Sequence, residues 1–90
     1  MSTDIQQSLF DEQARMEQAE RDNRMHRAAF RAAYDFLNTH YPPEDTEQYW
    51  LQTCADVGIV SAEHITNELC QELLTAVLLY LSNKVKKEHV

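Results

Sequence analysis

The chain has 90 residues, with 15 acidic against 8 basic side chains, a formal net charge of −7, a single glycine and two prolines. That length allows one domain that buries roughly 60–65% of its unfolded surface. One glycine excludes a phosphate-binding glycine loop, no apolar run approaches the ~20 residues of a membrane span, and the polar opening MSTDIQQSLFDEQ predicts neither signal nor transit peptide. The expected setting is therefore the cytoplasm.

Helix formers dominate and turn residues are scarce, so the prediction is an all-α, three-helix arrangement: a long N-terminal helix, a short middle helix and a central apolar C-terminal helix. Residues 1–90 are read as one helical domain, with 1–24 as a protruding polar helix or arm and 25–90 as the packed core. The first helix is expected over Asp4–Thr39. Asp11 to Arg15, Glu17 to Arg21 and Glu20 to Arg24 support it as acid-to-base pairs four apart. From Met25 to Tyr41 apolar residues are dense and are assigned to the core. From Asp11 to Arg24 they are sparse, but Leu9, Met16, Asn23, Phe30 and Leu37 recur every seven residues. Such a row, with Asn at one seam position, is the pattern of a coiled-coil stripe; the row four residues on (Gln13, Glu20, Arg27, Tyr34) is weak, which leaves a simple overhanging helix as the other reading. Leu9, Met16 and Asn23 are candidates for contact with a second copy, in a homodimer through the first helix, or with a target.

Pro42 and Pro43 stop that helix, and Asp45 with Gln48 resembles a capping box opening a helix over about Thr46–Val57. Gly58 is expected as its C-terminal cap, with Ile59 and Val60 anchoring the turn in the core. Thr66 or Asn67 caps the final helix, which runs to about Lys87 with lysines in its last turn. Its stretch Leu73–Leu81 is apolar almost all round. Phe30, Tyr34 and Leu37 on one side and Tyr49, Trp50 and Val57 on the other are expected to bury it.

Catalytic signatures are absent. Cys54, His64 and Cys70 lack metal-ligand spacing, and the two cysteines read as buried free thiols, so no metal, cofactor or enzymatic activity is expected. The stretch Cys54–Ser61 resembles the turn of a DNA-binding helix-turn-helix, but the would-be recognition helix carries Glu63, Glu68 and Glu72 and no basic residue, and the reading preferred is a glycine-capped helical corner.

Charge is distributed unevenly. From residue 32 to 83 there is no Lys or Arg. Asp35, Glu44, Asp45, Glu47, Asp56, Glu63 and Glu68 form the expected partner-binding surface, suited to a basic protein rather than to nucleic acid. Arg24, Arg27 and Arg31 make a second, weaker face.

Tyr41-Pro42-Pro43, Tyr49-Trp50 and Leu73-Leu74-Thr75-Ala76-Val77 with Tyr80-Leu81 resemble small acidic helical proteins of phages, prophages and other mobile elements. The likeness covers residues 30–85 and departs at the long first helix. It implies a bacterial or viral accessory protein, acting in a bacterial or host cell. Such proteins bind a macromolecule stoichiometrically, including as inhibitors of nucleic-acid-targeting systems. The leading expectation is thus a non-enzymatic protein-binding module that binds or inhibits a basic macromolecule. The alternatives are a nucleic-acid-binding or regulatory protein using the arginine strip, or a structural oligomerisation subunit.

Overall fold

The computed structural model describes the backbone of residues 2–88 and the side chains of residues 11–87. Three helices follow in order: α1 Ser2–His40, α2 Glu47–Glu63 and α3 Glu68–Glu88. Among the described residues there is no strand, and no helix is long and apolar enough to cross a membrane.

Nothing interrupts α1 until the Tyr41-Pro42-Pro43 corner, where the Tyr41–Pro42 peptide is cis. Along its polar half, Arg15 donates to the Asp11 carbonyl oxygen at 3.4 Å and Arg21 to the Gln18 amide oxygen at 3.2 Å. Both are local bonds of a solvated helix. The cap of α2 is Thr46 rather than Asp45: its hydroxyl accepts from the Tyr49 amide N–H at 3.1 Å. Asn67 caps α3, its side-chain oxygen accepting from Cys70 N–H at 3.2 Å, while its amide donates to the Met25 carbonyl at 2.9 Å.

That last bond and the stacked Tyr41 and Tyr80 rings, 6.5 Å apart, mark two levels of the bundle. Met25 lies level with Asn67, and Tyr41 with Tyr80, so α1 and α3 run parallel and α2 returns between them. At 1.5 Å per residue α1 is about 58 Å long and α3 about 32 Å. The molecule measures 70 × 25 × 15 Å. From residue 11 to 28 every side chain is exposed except the half-buried Asp22, and packing proper begins at Ala29.

The core is built on Ala29, Ala33, Phe36, Cys70, Leu74, Leu81 and Val85. The face that α1 turns inward is thus 29, 33, 36 and 40, not the one expected: Phe30 is 58% and Tyr34 63% exposed. Ala29 and Ala33 let α3 approach closely, whereas rings at the contact would hold the helices apart. On α3 the fully buried row is Cys70, Leu74, Leu81 and Val85, with Leu69, Leu73, Val77 and Leu78 partly buried against it. Ile65 lies exposed in the turn before the helix, and Leu79 and Tyr80 also face out. Leu73–Leu81 is therefore buried on one side only.

Gly58 does not cap α2. The helix continues through it to Glu63, with no positive φ, and ends at His64, whose N–H reaches the Val60 and Ser61 carbonyls. Residues 54–61 are continuous helix, so neither a helix-turn-helix nor a glycine corner exists there. With the turn moved downstream, Ile59 is exposed and only Val60 packs toward the core. Cys54 is exposed and Cys70 fully buried; both are free.

Candidate functional site

Extending α2 past Gly58 has a local result. One more turn and a half lies alongside α1 and makes the far wall of a groove. On α1, positions 32, 35, 36, 39 and 40 share a side at helical spacing; on α2, positions 56, 59, 60 and 63 do the same, followed by the capping residue His64. Together they line an open groove of about 470 Å³. Phe36 and Val60 form its apolar floor, exposed Ile59 its apolar lip, and Asp35 and Glu63 its acidic rims. No Lys or Arg contributes to it.

The groove is closed at one end by a polar cluster around His40. This ring is buried, packs on Phe36 at 4.4 Å, and meets Asp56 through Nε2 at 3.2 Å and the Thr53 hydroxyl through Nδ1 at 3.4 Å. The Tyr49 hydroxyl donates to the His40 carbonyl at 2.6 Å. Asp56 also accepts from Gln52 Nε2 at 2.9 Å. Both of its oxygens are engaged, so Asp56 fixes the end of the groove more than it offers charge to a visitor. Burial pushes the Tyr49 phenol above its ordinary value; a hydrogen bond from Thr53 opposes that shift and the nearby Glu44 charge adds to it.

The other end is held by Gln71, whose amide nitrogen donates to the Ser61 and His64 carbonyls at 3.1 and 2.8 Å and whose oxygen accepts from the Ser61 hydroxyl. His64 is half-buried here. These ties fix the last turn of α2, which carries Glu63, against the start of α3.

The seven acidic residues singled out from the sequence therefore do not share one surface. Asp35, Asp56 and Glu63 come together in the groove. Glu44, Asp45 and Glu47 lie exposed at the corner between α1 and α2, and Glu68 opens α3 beside Met25 and His26. Arg24, Arg27 and Arg31 are exposed at spacings of three and four, on one face of α1. Met16 and Asn23 are exposed, and the Leu9 side chain lies outside the described residues. Among the described residues no three His, Cys, Asp or Glu side chains gather to hold a metal ion.

Sequence reasoning missed His40 and Thr53. The usable signal was spacing: His40 continues the 29, 33, 36 row, and a histidine on a core row requires polar partners from the facing helix. Thr53 and Asp56, three apart on α2, supply them.

Comparison of the chain with protein-family models, curated proteins and solved structures gave no match.

Proposed function

We propose that the protein is a non-enzymatic protein-binding module whose α1–α2 groove receives a basic segment of a partner. One observation carries this reading: Asp35 and Glu63 flank an apolar floor of Phe36 and Val60 with Ile59 at its lip. An acidic rim over apolar ground suits a segment with an aliphatic anchor flanked by Lys or Arg. Such segments are common in proteins that handle nucleic acid. The resemblance of residues 30–85 to mobile-element proteins extends the proposal to an accessory factor of a phage or mobile element that binds and inhibits such a basic macromolecule.

The test is titration of the full chain with a synthetic amphipathic peptide carrying Lys at both flanks of an Ile-Leu anchor. The wild type binds and its affinity falls with salt; Asp35→Lys with Glu63→Lys lowers affinity by about tenfold or more, since reversed rim charges repel the peptide. Reversal at Glu44, Asp45 and Glu47, on the corner, leaves it nearly unchanged. Equal loss from both sets, or no binding at all, removes the groove from consideration.

A second reading is favoured by the exposed face of Arg24, Arg27 and Arg31. It makes α1 a nucleic-acid contact, and a salt-dependent gel shift abolished by Arg24→Glu and Arg27→Glu would establish it. The exposed row through Met16 and Asn23 further supports α1 as a helix that meets another chain, as an oligomerisation subunit requires.

A further inference from the structure

We infer that two copies of this chain associate in parallel and in register along α1, joining the stripe that runs from Met16 to Tyr41. This rests on reading α1 as a contact helix and is independent of the groove.

The stripe begins in the overhang. Met16, Asn23 and Phe30 recur every seven residues, with Ala19 and His26 three beyond the first two, and all five side chains are exposed. Where α1 enters the bundle the stripe does not end. Ala33, next after Ala19 and His26, is taken into the chain's own core, and the stripe shifts by one residue: half-buried Leu37 continues the seven-residue row, while Tyr34 and Tyr41, 63% and 44% exposed, turn the edge of Glu20 and Arg27 apolar. There α3 joins in, because the half-buried Leu73 and Val77 and the 50% exposed Tyr80 lie on the side of α3 away from Gln71 and hence away from α2. The stacked Tyr41 and Tyr80 rings, inclined at 19°, merge the two rows into one apolar face. A single α1 stripe thus passes from a two-helix seam into a four-helix contact, with α2 of each copy on the outside.

Charge selects a second copy as the occupant, and selects its direction. With Met16, Asn23 and Phe30 at the inner seam positions, the flanking residues are Arg15 and Asp22 on one edge and Glu20 and Arg27 on the other. In a parallel, in-register pair each flanking residue meets the one five places on in its partner. Arg15 then faces Glu20 and Asp22 faces Arg27, each pair occurring twice by symmetry. All four residues are on the described surface of α1. The same arrangement sets Asn23 against Asn23, a pairing that fixes register and direction in parallel two-helix seams. Meanwhile the groove acids Asp35 and Glu63 lie toward α2, so the net negative charge of the two copies is kept apart.

The decisive experiment is a charge exchange read by light scattering and sedimentation across a concentration series. The wild type is expected at twice the 10.5 kDa of one chain. One variant carries Arg15→Glu with Asp22→Arg, the other Glu20→Arg with Arg27→Glu; each alone places like charges opposite and is expected to be monomeric. Mixed together, the two variants restore every pair, and the dimer returns as a one-to-one heterodimer. Because all four positions lie in the overhang, ahead of the packing that begins at Ala29, the bundle of each variant still folds, and its near-UV circular dichroism stays near wild type. A third variant, Asn23→Cys with Cys54→Ser, is expected to crosslink to itself on oxidation in the wild-type charge background. A wild type that is monomeric throughout overturns the inference, as does a dimer that ignores both charge sets, or an Asn23→Cys chain that fails to crosslink while dimeric. Peptide binding in the groove is measured on the same variants: if the dimer fails and the peptide still binds, only the contact-helix reading is lost.

Discussion

Tyr49 donates its phenolic proton to the carbonyl of the last residue of α1, and burial holds that proton more tightly than water would. A folded-state pKa above the unfolded one means that the stabilisation is complete below the ordinary tyrosine value near 10 and is lost as pH climbs through the raised value. The urea midpoint is therefore expected to hold level to about pH 10 and then fall. In Tyr49→Phe the midpoint is lower at neutral pH and the alkaline fall is shallower. Gly58 offers a second, cleaner case. It is an exposed interior residue of α2, with nothing within 4 Å of where a Cβ would stand. Gly58→Ala is expected to raise stability by about 0.5–1 kcal/mol in urea denaturation, through helix propensity and a stiffer unfolded chain. Were Gly58 the positive-φ cap that its position suggests, the same change would lower it.

At the scale of the helix, α3 shows how much a hydrophobic run conceals. Nine nearly continuous apolar residues give no sidedness of their own, yet Leu74 is 2% exposed and Leu79 62%. Leu74→Ala is expected to cost about 2–5 kcal/mol by leaving a cavity. Leu79→Ala is expected to stay within about 0.5 kcal/mol, and thermal melts of the two variants check the contrast. The number, order and type of the helices were legible because helix formers, two prolines and capping residues are local signals. Facing was legible only in part. The stretch from Met25 to Tyr41 was legible as core, but its large apolar residues point to several faces, and the close helix approach that selects Ala29 and Ala33 over Phe30 and Tyr34 leaves no mark in hydrophobicity alone. Gly58 misled for a different reason: glycine after an apolar run is the common mark of a helix end, but Val60, packed against the core, and the Gln71 anchor carry α2 onward. The groove depended on that extra length, which is why only the acidic character of its rims, and not their meeting, could be read beforehand.

Across the whole molecule, the acidic groove and the apolar stripe lie on opposite sides of the α1–α3 pair, so one surface can be occupied without blocking the other. Eight acids between residues 32 and 83 face no Lys or Arg in that span. Their mutual repulsion weakens as salt shortens the Debye length from about 30 Å at 0.01 M to about 8 Å at 0.15 M. Salt is thus expected to raise the melting temperature while lowering affinity for the basic peptide, and calorimetry on one preparation measures both. The parallel course of α1 and α3 depends in turn on Asn67. Its amide caps one helix with its oxygen and grips another, 42 residues earlier, with its nitrogen. Start and alignment are therefore a single event: α3 cannot begin at its proper residue and then slide along α1, because the group that starts it also sets its height. An aspartate there would keep the first half of that bargain and forfeit the second, leaving a well-formed helix free to slip.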